Sequence, residues 1–72
     1  MILHDTAVDY YGVFELASAA DDAGLDVVSV NHDPGDKQWH ILVRPEVGAY
    51  AGVTEARRAW ETAVEKRRME KS

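Results

Sequence analysis

The fold is decided by residues 26–45, which read DVVSVNHDPGDKQWHILVRP. Two runs rich in β-branched and aromatic residues flank a turn centred on Pro34 and Gly35. Proline followed by glycine suits the central positions of a reverse turn, and the flanking aspartates can accept hydrogen bonds from its backbone. The pattern predicts an antiparallel hairpin with strands at Asp26–Asn31 and Gln38–Arg44, joined by a loop of about four residues.

The predicted register sets Val30 opposite Trp39 and Val28 opposite Ile41. Because side chains alternate across a strand, one face of the hairpin should be apolar and the other mixed. The expected apolar face consists of Val28, Val30, Trp39, Ile41 and Val43. Pro45 should end the second strand, and residues 46–53 should form a loop or a short third strand.

Two amphipathic helices are predicted on either side of the hairpin. Thr6 is a suitable N-cap and Gly24 a suitable C-terminal residue for a helix from about Ala7 to about Ala23. A second helix should follow Thr54 and extend to about Glu70. The expected inner residues, at helical spacing, are Ala7, Tyr10, Val13, Phe14, Ala17 and Ala20 in the first helix and Ala56, Ala59, Trp60, Ala63 and Val64 in the second.

The predicted fold is therefore a single α+β domain spanning residues 1–72, in the order α-β-β-(β)-α. Its hairpin sheet should pack on the two helices in two layers, with Trp39 and Trp60 at the centre of the core. The chain has no cysteine, which excludes disulfides and thiolate zinc sites. The apolar start Met1–Leu3 is too short for a signal peptide or a membrane span, so we expect a soluble cytoplasmic protein.

The net charge of −5 is unevenly distributed. Residues 1–36 contain eight acids and neither Lys nor Arg, which gives −8, whereas residues 37–72 contain five acids and eight bases, which gives +3. A rigid array of carboxylates can imitate a phosphate backbone and occupy a basic groove. The leading hypothesis is a stoichiometric inhibitor or adaptor that docks on a larger, nucleic-acid-handling protein. Its expected contact residues are Glu15, Asp21, Asp22 and Asp26, followed by His40, Leu42 and Arg44 on the mixed sheet face.

Catalytic and metal sites are not expected. The chain has no Gly-rich phosphate loop and no nucleophile motif, and the adjacent Asp21 and Asp22 diverge by about 100° on a helix. His32, Asp33, Asp36 and His40 surround the hairpin tip, but the predicted register points the two histidines to opposite sheet faces. We therefore expect no enzyme, no catalytic residue, no cofactor and no bound metal.

Two alternatives remain open. The first is a nucleic-acid-binding or antitoxin-like regulatory domain that uses Arg57, Arg58, Arg67 and Arg68, although Glu61 and Glu65 interrupt this basic face and the isoelectric point is about 4.9. The second is a small structural subunit that forms a homodimer by pairing exposed strand edges.

Three resemblances bear on these alternatives. The segments 44–48 and 51–56 resemble the strand-to-helix junction of HicB-type antitoxins, with a different loop length. The order α-β-β-β-α with Glu55-Ala56-Arg57 resembles double-stranded-RNA-binding domains, which have a lysine cluster where this chain has Thr54, Glu55 and Arg57. In size, acidity and lack of catalytic motifs, the chain is similar to phage-encoded inhibitors of host defence such as anti-CRISPR proteins, which implies a protein partner.

Overall fold

The computed structural model describes residues 1–70 and confirms a small α+β domain. The elements are β1 (Leu3–Ala7), α1 (Tyr10–Asp22), β2 (Leu25–Asp33), β3 (Gln38–Pro45) and α2 (Val53–Glu70). All strands are antiparallel in the order β1-β3-β2, and both helices contribute to a core on one face of the sheet. No helix within the described part of the chain has both the length and the apolar character needed to cross a membrane.

The hairpin is present, but its predicted register is wrong. Val30 lies opposite Ile41 and His32 opposite Trp39, while Val28 is an extra residue at a bulge between Val27 and Ser29. The loop comprises residues 34–37, and its last residue, Lys37, adopts a left-handed φ of 58°. A bulge of this kind adds one residue to one strand and therefore exchanges the faces of the residues beyond it.

The third strand comes from the N-terminus and not from residues 46–53. Leu3 is buried and Asp5 and Ala7 are half-buried, whereas His4 and Thr6 are exposed, which is the two-residue alternation of a strand. Thr6 pairs with His40 across the sheet. Helix α1 therefore starts later than predicted, and its N-cap is Asp9, whose carboxylate accepts the Gly12 N–H at 2.7 Å. The resulting order β-α-β-β-α differs from that of double-stranded-RNA-binding domains.

The second helix and the core around Trp60 are as predicted. Ala56, Trp60 and Val64 are buried, and the Trp60 ring is 1% exposed. Its indole N–H donates to the Leu16 carbonyl at 2.9 Å, so burial leaves no unpaired donor. Trp39, expected at the centre, is instead half-buried and packs against the margin of the core.

The buried face of α1 is rotated relative to the prediction. Its buried residues are Val13, Leu16, Ala19 and Ala20. Tyr10 and Phe14, which were expected to point inward, are 58% and 60% exposed. The difference arises because α1 packs against α2 as well as against the sheet, and two alanines allow the close approach. Gly24 ends the helix as predicted, with φ of +75°.

Candidate functional site

Two of the four predicted acidic contact residues are engaged within the chain. The Arg67 Nε donates to the Asp22 carboxylate at 2.6 Å, and the Arg68 Nε donates to Glu15 at 2.6 Å. The hydrogen bond from Arg67 lowers the pKa of Asp22 below its ordinary value. These pairs join α1 to α2, so the carboxylates face a helix of the same molecule.

The other two predicted acids lie on different elements. Asp21 is exposed near the end of α1. Asp26 is exposed on β2, where it lies opposite Arg44 of β3. The structure therefore does not bring Glu15, Asp21, Asp22 and Asp26 together as one unpaired acidic array.

The predicted sheet residues His40, Leu42 and Arg44 share the face that the helices leave open. On this face the His40 Nδ1 and the His4 Nε2 lie 2.8 Å apart, and the two rings stack with centroids separated by 5.1 Å. The His40 Nε2 lies 2.7 Å from the Asp36 carboxylate. His4 was not expected on this face, because β1 was not predicted.

The hairpin tip groups Asp33, Asp36 and His40, whose potential ligand atoms lie within 4.8 Å of one another. The aspartates stabilise the turn, since Asp33 accepts a hydrogen bond from the Gly35 N–H at 2.8 Å and Asp36 accepts one from the Gln38 N–H at 2.9 Å. The bond from Gln38, followed by that from His40, lowers the pKa of Asp36. Turn stabilisation accounts for these contacts without a metal ion.

A cluster of exposed rings, which the sequence reasoning missed, lies between α1 and the strand ends. Trp39 is its base: its ring centroid is 5.6 Å from that of Tyr10 and 5.2 Å from that of His32. Tyr11, 82% exposed, contacts Tyr10 edge to face at 6.3 Å, and Phe14 follows on the next turn. We call these residues the aromatic surface: Tyr10, Tyr11, Phe14, His32 and Trp39.

One signal in the sequence could have revealed this surface. Tyr10 and Tyr11 are adjacent in a helix, and adjacent helical side chains diverge by about 100°. Two neighbouring aromatic residues in an amphipathic helix therefore cannot both reach the centre of the same core. At least one ring had to be exposed, and the rotation of α1 exposes both.

The aromatic surface adjoins the strand β2, which forms one edge of the sheet. Val27, Val28 and Val30 on this strand are 42%, 48% and 39% exposed. Asp9, the N-cap of α1, directly precedes Tyr10 at the margin of the aromatic surface, whereas Asp33 follows His32 but points to the opposite face of the sheet. The arrangement can therefore bury apolar area against a partner while its margin attracts positive charge.

Comparison with known proteins found no match: no family model, no curated protein sequence and no solved structure resembles this chain closely enough to indicate its family.

Proposed function

We propose that this chain is a non-enzymatic protein-binding module that docks on a larger protein through the aromatic surface and acts as a stoichiometric inhibitor or adaptor. The observation that supports this is the exposure of Tyr10, Tyr11 and Phe14 beside Trp39. Aromatic rings have a large contact area and few rotatable bonds, and Tyr and Trp are enriched among the residues that dominate binding energy. Clustered exposed rings present apolar surface to water, which is unfavourable unless a partner covers them.

The charge distribution indicates the chemistry of the partner. The aromatic surface belongs mostly to residues 1–36, which have eight acids and no Lys or Arg. A partner with an apolar cleft and a basic margin would complement both features. Proteins that handle nucleic acid have such margins, so antagonism of one of them, as in phage anti-defence proteins, is the form of the proposal that we favour. The absence of cysteine is compatible with action in the cytoplasm.

Direct nucleic-acid binding has less support. Of the arginines proposed for it, Arg57 donates to Asp5 and to the His4 carbonyl, Arg67 to Asp22 and Arg68 to Glu15. These contacts engage three guanidinium groups within the molecule. Binding to phosphates would have to compete with each of them.

Affinity capture with matched variants tests the proposal. The double substitution Tyr11→Ser, Phe14→Ser removes two exposed rings, while Val47→Ser removes an apolar side chain that is fully exposed in the loop after β3. Wild-type and Val47→Ser baits should retain the same protein from the native host, and the double variant should lose it. The retained protein is then purified and the binding is reconstituted with the two isolated proteins.

Two results would contradict this proposal. Equal retention by the wild type and the double variant would mean that the rings are not the contact. Purified chain that binds duplex DNA or RNA directly, with an affinity that falls steeply as salt rises, would favour the regulatory alternative. Under the proposal, the chain instead displaces duplex from its captured partner, and the displacement weakens with salt because the margin is acidic.

A further inference from the structure

The two edge strands of the sheet differ in whether side chains bond to their backbone. On the β1 edge, the Arg57 Nη2 donates to the His4 carbonyl at 2.5 Å, so a side chain of α2 occupies a backbone acceptor. On β2, no side chain among residues 1–70 makes a hydrogen bond to the main chain of Leu25–Asp33. Edge strands usually prevent unwanted pairing by lysine, proline, a bulge or a covering element. The strand β2 contains neither lysine nor proline, and its bulge at Val28 leaves residues 29–33 in regular register.

The register fixes which way each β2 side chain points. Beyond the bulge, Val30 and His32 lie opposite Ile41 and Trp39 and so face the helices, whereas Ser29, Asn31 and Asp33 face the open side. The bulge at Val28 limits regular pairing to residues 29–33. An added strand here would therefore be short and would have two chemically different faces.

We propose that the free edge of β2 receives an extended segment of the partner as a fourth strand, with apolar residues on the helix side and Lys or Arg on the open side. This inference rests on the proposed function and specifies how the partner binds. Apolar side chains of the segment would lie beside Val30, on the side where Tyr10 and Phe14 are exposed. Basic side chains would lie beside the row that ends in Asp33. Strand addition supplies affinity through main-chain hydrogen bonds and specificity through alternate side chains.

Charge complementarity selects a basic segment over a second copy of this chain. The strand β2 has Asp26 and Asp33 and neither Lys nor Arg, and the adjoining helix α1 also has no Lys or Arg. A second copy would bring its own Asp26 and Asp33 to this edge and no Lys or Arg, so the net electrostatic interaction between two such edges is repulsive. A segment with lysine or arginine on its open side reverses the sign of this interaction.

A designed peptide provides a defined probe. The acetylated and amidated peptide Lys-Val-Lys-Val-Lys-Val-Lys is titrated into the full chain while backbone amides are followed by NMR. A control peptide of the same composition, with its lysines and valines in separate blocks, lacks the alternation. A second control has the alternating sequence with alternate amides N-methylated, which preserves charge and side chains but removes strand donors. We expect the alternating peptide to shift and protect amides of residues 29–33, and both controls to bind at least about tenfold more weakly.

A matched pair of protein variants tests the edge itself. Val30→Lys places a charge on the free edge, whereas Val47→Lys places the same charge in the exposed loop. Val30→Lys should weaken binding of the alternating peptide by about tenfold or more because it puts a charged group beside the peptide's valines on the helix side, and Val47→Lys should leave it nearly unchanged. Because the N-methylated peptide leaves the protein unaltered, the test does not depend on whether Val30→Lys folds.

Three results would overturn strand addition: equal binding of all three peptides, amide shifts confined to α1, or a wild-type dimer that Val30→Lys dissociates. The last would mean that a second copy occupies the edge. If the peptides fail while capture still depends on Tyr11 and Phe14, then the binding mode is wrong and the proposed function stands. If capture no longer depends on the rings while the alternating peptide still binds, then the proposed function fails and the edge remains a peptide site.

Discussion

Replacing Trp60 should strongly destabilise this domain. The side chain is 1% exposed, belongs to the core cluster with Ile41 and Val43, and donates its indole N–H to the Leu16 carbonyl of α1. Trp60→Ala removes the ring and leaves a cavity, which costs about 3–5 kcal/mol. For 72 residues, a stability of roughly 0.05–0.15 kcal/mol per residue gives about 4–11 kcal/mol in total. The substitution therefore removes a large share of the stability.

The assay is thermal and urea denaturation followed by circular dichroism. A loss of this size should lower the melting temperature by about 12–40 °C in a domain of this length. Trp39→Ala is the matched control, because Trp39 is only half-buried at the core margin and should cost clearly less. A Trp60→Ala melting temperature within a few degrees of wild type, or equal losses for the two variants, would refute this account of the core.

Three further predictions concern the charged groups. Asp21→Lys should leave stability equal or raise it by about 0.3–1 kcal/mol, because a positive charge is favourable at the C-terminal end of a helix. Asp22→Lys should instead lower the urea midpoint, because it breaks the ion pair with Arg67. Equal urea midpoints for the two variants would contradict the pairing. The lowered pKa values of Asp22 and Asp36 stabilise the fold above their ordinary value of 3.8, and this contribution is lost as pH falls through the lowered values. Urea midpoints should therefore fall as the pH is lowered below the ordinary pKa of 3.8, and less steeply in Asp22→Asn. Parallel curves for the variant and the wild type would contradict this role of Asp22. Dialysis against a chelator should leave the melt unchanged, and a drop would show that the hairpin tip holds a metal.

Local chemistry made the hairpin and α2 predictable. The Pro34-Gly35 turn lies between strand-forming runs, and the stripe Ala56, Trp60 and Val64 has a clear helical spacing. The register was not predictable, because it depends on a left-handed lysine and on a bulge, both of which are set by how the strands pack. The strand β1 was missed because Thr6 and Ala7 also suit a helix start, and its pairing with β3 joins segments distant in sequence.

The candidate site depended even more on tertiary contacts. Glu15 and Arg68 are separated by 53 positions, and no local pattern shows that their side chains meet. The same packing of α1 against α2 rotates Tyr10 and Phe14 to the surface. The sequence predicted a protein partner for the acidic half of the chain, and our proposal places the contact on the exposed rings of that half in place of the carboxylates.

The measurement that tests the central claim most directly is the affinity of the purified partner for the wild-type chain and for the Tyr11→Ser, Phe14→Ser variant, by calorimetry, with both chains shown to have the same fold. If the aromatic surface is the contact, a loss of about 2 kcal/mol per dominant ring predicts at least about thirtyfold weaker binding. Asp21→Lys should mainly slow association. Unchanged affinity of the double variant, together with abolished binding by Asp21→Lys, would contradict the account and assign the contact to the acidic end of α1.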